Sequence, residues 1–141
     1  MTYLPSWFFE TLHILVDQET VTTMCNSTTP IHLLSADDYA KAVVQSYTLP
    51  SLYNKRLTLL GSKAITITKA EDIYAQSKKL SRHYMLESDA WAYAKELGDD
   101  TLLDAVDLLS YTEKVGEKPD LVTLEHPLTS STSLSEWLKV N

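Results

Sequence analysis

An α/β fold, rich in helix and with few, short strands, follows from three observations. Capped amphipathic stretches recur from residue 35 to the C-terminus. The strand-like runs between them are brief and isolated in sequence, as at 31–34 and 56–60. One of them, Leu57-Thr58-Leu59-Leu60, is apolar with little alternation, the pattern of a strand covered on both faces. Such a strand needs neighbours, and the sequence offers few.

In WFFETLHILV, which follows Pro5 and Ser6, residues Phe8, Phe9, Leu12, Leu15 and Val16 recur at helical spacing and predict a helix over 6–17. The Thr/Val run 20–24 reads as a strand, Asn26–Pro30 as a loop and Ile31–Leu34 as a second strand. Ser35 and Asp38 have the spacing of a capping box, with Asp in place of the usual Glu. Tyr39, Ala40, Val43, Val44 and Tyr47 then line one face of a helix that ends at Leu49-Pro50-Ser51. Asn54-Lys55 turns the chain into the strand Arg56–Leu60, which Gly61 breaks; Ala64–Ile67 is a shorter strand.

Thr68 and Glu71 have the spacing of a second capping box, opening a helix to about residue 81 with Ala70, Ile73, Tyr74, Ser77 and Leu80 inward. Asp89–Leu97 is a helix stopped by Gly98. Thr101–Val115 is another, with Leu102, Leu103, Val106 and Leu109 on one face and Gly116 at its end. Residues 117–131 read as a loop. Ser133 and Glu136 cap a last short helix carrying Leu134, Trp137 and Leu138.

The length of 141 residues predicts one domain, with 1–67 completing a sheet and shaping a cleft and 68–141 forming a helical region. The net charge is −7, and residues 1–40 carry no Lys or Arg, which speaks against nucleic-acid binding. Cys25 is alone, so no internal disulfide forms within the chain. The start MTYLPSWFF has no basic region of the signal-peptide kind. The apolar run Trp7–Val16, broken by Glu10 and His13, falls short of the ~20 residues of a membrane span. The expectation is a cytoplasmic protein that does not enter membranes.

No residue is predicted to be catalytic and none to bind metal. Asp37 and Asp38 are adjacent, but neighbours on a helix point about 100° apart, and capping explains them. His13, His32, His83 and His126 lack metal-ligand spacing. Lys78, Lys79, Arg82 and His83 form the only basic cluster, read as the last turn of a helix, where cations complement the dipole. No G-x-S-x-G elbow and no P-loop is present.

Tyr3-Leu4-Pro5-Ser6-Trp7-Phe8-Phe9-Glu10, Pro30–Val44 with Asp38 entering its helix, Lys55–Gly61, and the tail Thr129–Leu138 ending in Glu-Trp-Leu occur in an order that resembles the C-terminal half of NmrA-like and epimerase-type short-chain dehydrogenases. The resemblance runs from residue 3 to about 139. It implies the C-terminal part of a Rossmann-type NAD(P)-binding fold without its glycine-rich N-terminal half. NAD or NADP is the cofactor it implies for the family. It also implies that the backbone at Pro5 lies near the nicotinamide, and that Trp7, Phe8 and Phe9 line the substrate cleft with His32 beside it. Read from the residues alone, those aromatics serve equally as core. The sequence departs from the family at Leu4, where an Arg is common.

The three glycines, Gly61, Gly98 and Gly116, are too far apart to build a diphosphate loop. Tyr74-Ala-Gln-Ser-Lys78 matches the family's Tyr-x-x-x-Lys, but it falls after the last matched strand and Tyr74 belongs to an apolar face. The expectation is a substrate-domain portion that binds no cofactor and turns nothing over by itself. Its partners would be a polypeptide supplying the Rossmann half or another copy of the chain. A regulatory, protein-binding module and one chain of a split enzyme remain open beside it.

Overall fold

The structure, a computed structural model, describes residues 2–5, 7–24, 27–54, 56–59, 61, 63–116 and 131–141. It is a helix-rich α/β fold whose chain divides into two interleaved units. One holds Met1–His13, Ile31–Ala64 and Lys118–Asn141; the other holds Ile14–Pro30 and Ile65–Glu117.

In the first unit, β1 (Thr2–Pro5) runs parallel to β6 (Arg56–Leu59), with Tyr3 opposite Leu57 and Pro5 opposite Leu59. Among the described residues this sheet has two strands. The chain then changes sheet: β2 (Trp7–Phe8) pairs in parallel with β5 (Ile31–Leu34), Phe8 opposite Leu34, in a sheet ordered β2-β5-β7, where β7 is Ala64–Ile65. Helix α1 (Ala36–Thr48) follows β5 directly, because Ser35 is extended and its hydroxyl accepts from the Asp38 N–H. Leu34, Ala42 and Leu59 form a buried cluster with Tyr39 against it. Gly61 is required by close approach: a Cβ there would lie 1.7 Å from the Leu33 carbonyl oxygen. Helix α5 (Leu134–Val140) starts with the capping box expected of Ser133 and Glu136, and buries Trp137 and Leu138.

In the second unit, β3 (Val16–Asp17) and β4 (Thr20–Thr23) form an antiparallel hairpin turning at Gln18-Glu19, with Gln18 at φ 50°. On its other side β4 pairs in parallel with β8 (Ser81–Tyr84). Helix α2 (Ile67–Lys78) packs Ile67, Ala70, Glu71, Tyr74 and Ala75 inward. Helices α3 (Glu87–Leu97) and α4 (Asp100–Val115) lie against each other, with Ala90, Ala94, Val106 and Leu109 buried.

Several local expectations are corrected. Residues 6–17 are not one helix: β2, a 3-10 helix Phe9–Leu15 and β3 share that span, because both ends of it are drawn into strand pairing. The inward face of α1 is Asp38, Ala42 and Ser46, with Tyr39 and Val43 half-buried; Val44 and Tyr47 are exposed. The cap of α2 is Thr66, which accepts from the Lys69 N–H, so Glu71 sits a turn deeper than a capping residue. Ser77 is exposed. That helix ends at Lys78 with Lys79 in the left-handed region at φ 57°, so Arg82 and His83 belong to strand β8 and not to a last helical turn. The loop expected at 117–131 lies outside the described residues up to 130.

Candidate functional site

Pro5 ends β1 at the carboxyl edge of the parallel β1–β6 pair, and the chain leaves for a second sheet two residues later. The crevice outside the carboxyl ends of parallel strands, where the chain changes course, is where open α/β sheets bind ligands. Pro5 can offer a ligand its carbonyl but no N–H. The structure brings Trp7, Phe8 and His32 onto adjacent strands, His32 one residue before Leu33, the strand partner of Trp7. The Trp7 and Pro5 side chains lie outside the described residues. Phe8 is half-buried and meets the Tyr39 ring edge-on at 5.6 Å and 87°. His32 is also half-buried. Phe9 is 3% exposed and packs on Trp137 with centroids 5.5 Å apart.

Residues beyond those expected hold this segment. Glu10 accepts from the Ala36 N–H at 3.2 Å, at the start of α1, and from the Trp137 indole Nε1 at 3.1 Å. A carboxylate there satisfies an otherwise open donor and complements the helix dipole. His13 stacks on the same Trp137, 5.1 Å between centroids. Asp38 is buried and accepts from the Thr132 N–H and, at 3.1 Å, from its hydroxyl. Asp38 is thus a tie to the tail segment as well as a first-turn acid. The signal for Glu10 was a lone acid in an apolar run; for Thr132 there was none, since the contact spans 94 residues.

The second unit carries a buried ionic network that the sequence did not reveal. Arg82 donates Nε–H to Asp72 at 3.0 Å, Nη1–H to the Val21 carbonyl at 3.2 Å, and Nη2–H to Glu71 at 3.0 Å and to the Thr23 hydroxyl. The Thr23 hydroxyl in turn donates to Glu71. The guanidinium lies 4.9 Å from the Tyr84 ring centroid, and the Tyr84 hydroxyl donates to Asp72 at 2.9 Å. Glu71 is fully buried, and its Oε1 has no hydrogen-bond partner. Burial pushes the Glu71 carboxyl above its ordinary range, although Thr23 and Arg82 oppose it. Burial also works against the Arg82 cation, but Glu71, Tyr84 and Asp72 outweigh it and hold the guanidinium charged. Of the pair Glu71 is the more deeply buried, with no side-chain exposure against 14% for Arg82. On the same sheet Thr20, Thr22, Ser81 and His83 line an open groove of about 800 Å³ with Gln18 and Glu19 at its end.

Among the described residues no group of His, Cys, Asp and Glu could hold a metal ion. The described helix N-termini do not fit a dinucleotide diphosphate. Ser35, Thr66, Asp99 and Ser133 cap four of them with their own side chains, and Glu10 occupies the α1 terminus besides. The remaining one, α3, opens with Glu87 and Asp89, which repel phosphate. No helix of the described residues is long and apolar enough to cross a membrane.

Solved structures include a nucleoside-diphosphate-sugar epimerase from Staphylococcus aureus that this fold resembles, with a TM-score of 0.67 at 14% sequence identity. The match covers 97% of this chain and 50% of that one, so the chain spans about half the length of its structural neighbour. No protein-family model matches the chain, and no curated protein matches it. The shared property is the fold: a helix-rich α/β architecture like half of an epimerase fold.

Proposed function

We propose that these 141 residues form the sheet-completing and substrate-domain portion of an NAD(P)-dependent epimerase or NmrA-like oxidoreductase. The observation that carries the reading is the parallel β1–β6 pair with Pro5 at its carboxyl end, in a fold whose likeness covers half of a nucleoside-diphosphate-sugar epimerase. In this reading the Pro5 carbonyl faces the cofactor's nicotinamide and Phe8 and His32 wall the substrate cleft with Trp7. The family's NAD or NADP supplies hydride transfer, and the substrate is an activated sugar or similar small molecule.

In this reading the portion by itself neither holds the dinucleotide nor turns over, because four of its five described helix N-termini are capped by its own side chains and that of α3 opens with Glu87 and Asp89. Titration calorimetry of the 141-residue chain with NADPH is expected to show no heat of binding. A micromolar dissociation constant would overturn this part of the reading.

The parallel sheet, two-stranded among the described residues, is the observation behind the second reading, a split arrangement. Parallel sheets are normally buried on both faces and rarely stop at two strands. A separate polypeptide with a glycine-rich βαβ unit would extend the sheet beside β1 or β6. Its co-purification with the tagged chain supports a split enzyme; a regulatory module would instead bring down a protein without that unit.

A further inference from the structure

Two carboxylates of α2 share one guanidinium. Arg82 reaches Glu71 and Asp72 at 3.0 Å each, so the cluster carries one negative charge more than Arg82 balances. The two acids are not equivalent. Asp72 keeps 38% side-chain exposure and also accepts from the Tyr84 hydroxyl at 2.9 Å. Glu71 has no exposed side-chain surface, and its Oε1 has no hydrogen-bond partner. A proton reaching this cluster goes to Glu71, because a buried charge with an unsatisfied oxygen is the costlier one to keep.

The surroundings accept either form of the acid. The titratable and charged groups around Glu71 are Asp72 and Tyr74 on α2 and Arg82 and Tyr84 on β8. Strand β4 brings the Thr23 hydroxyl and the Val21 carbonyl, which do not titrate. Burial holds the Tyr74 phenol neutral. Thr23, donor or acceptor as its hydroxyl turns, serves a carboxylate or a carboxylic acid. Arg82 loses its ion pair with Glu71 when that acid is neutral, and keeps Asp72, the Val21 carbonyl and the Thr23 hydroxyl.

We propose that Glu71 is the proton-binding element of an acid-sensitive switch: when its carboxyl takes one proton from solvent, the cluster becomes neutral and Arg82 pairs with Asp72 alone. The change reaches the surface through Tyr84, whose ring lies 4.9 Å from the guanidinium and whose hydroxyl donates to the same Asp72. The burial that raises the Glu71 carboxyl acts in the same direction. The folded chain then holds this proton more tightly than the unfolded chain does, so acidification does not open the fold through this site. The switch does not depend on the enzymatic reading above.

Infrared difference spectra of the full chain, neutral against mildly acidic, read the proton directly. The carbonyl stretch of a protonated carboxyl should appear at a pH above the 4.5 of an ordinary glutamate, with unchanged circular dichroism. The Tyr84 ring resonances should move with the same midpoint. Glu71→Gln keeps the side-chain shape and should remove both signals. Asp72→Asn, at a part-exposed position, takes away the competing charge and should move the midpoint to lower pH. Should Glu71→Gln fail to fold, the Asp72→Asn shift decides by itself. No such band above 4.5 in the parent overturns the proposal, and so does a band that Glu71→Gln leaves in place. Tyr84 resonances that stay still while Glu71 takes its proton, or a midpoint that Asp72→Asn leaves unmoved, overturn the handover of Arg82 to Asp72.

Discussion

Arg82→Met should destabilise the protein far more than Glu71→Met, although the two residues share one ion pair. In Arg82→Met the Glu71 carboxylate stays fully buried with the Thr23 hydroxyl as its remaining donor and Oε1 still unsatisfied. Leaving a buried charge without its partner costs about 3–5 kcal/mol. In Glu71→Met the guanidinium keeps Asp72 at 3.0 Å and the Val21 carbonyl at 3.2 Å, and it retains 14% side-chain exposure. That loss is about 1–2 kcal/mol, the scale of one charge-assisted hydrogen bond. The double variant removes both charges and should be more stable than Arg82→Met alone.

Acidity gives a second readout of the same pair. Without Arg82 the Glu71 carboxyl, already raised by burial, rises further. A carboxyl raised in the folded state keeps its proton there while the unfolded chain releases it. Stability is then greatest below the ordinary value of 4.5 and falls as the pH climbs toward the raised value. The deficit of Arg82→Met relative to the parent should therefore be larger at neutral pH than at mildly acidic pH. Urea denaturation of the four proteins at both pH values measures this. Equal losses in the two single variants, or strictly additive losses in the double, would refute the argument that the carboxylate bears the burial cost.

Glu113 should behave with the opposite sign. Its carboxylate accepts from the Thr28 and Thr29 N–H groups at 3.0 Å, from the Ser27 hydroxyl at 3.0 Å and from the Thr28 hydroxyl. Burial alone would raise it, but these donors bring its pKa down to about 2. The stabilisation is present above 4.5 and is lost as the pH falls toward about 2. Glu113→Gln should cost roughly 1–2 kcal/mol at neutral pH, less than the full shift implies because the group is part-exposed, and the gap in melting temperature should narrow below 4.5 and close only toward about pH 2; an unchanged gap counts against the cradle. Gly61→Ala should lose about 3 kcal/mol or more, since its Cβ would meet the Leu33 carbonyl oxygen at 1.7 Å and backbone must move. A thermal melt within a degree or two of the parent would contradict that placement.

Short-range chemistry is legible in the order of residues. Ser35, Ser133 with Glu136, Gly98 and Gly116 mark helix ends because a cap needs only the residues of its own turn. The strands at 20–23, 31–34 and 56–59 were readable from apolar and β-branched runs, and the helix-rich α/β class follows from these elements. Features that depend on distant partners emerge only in the folded chain. Residues 81–84 become a strand because β4, some sixty residues earlier, pairs with them, and no local pattern in Ser-Arg-His-Tyr announces it. The same pairing drives Arg82 onto Glu71 and turns an apparent capping acid into a buried one. Phe9, Glu10 and Trp137 meet across more than 120 residues, so whether an aromatic lines a cleft or fills a core was fixed by the returning chain. Hydrophobic spacing tells which residues want to leave water; only the folded chain tells which neighbour receives them.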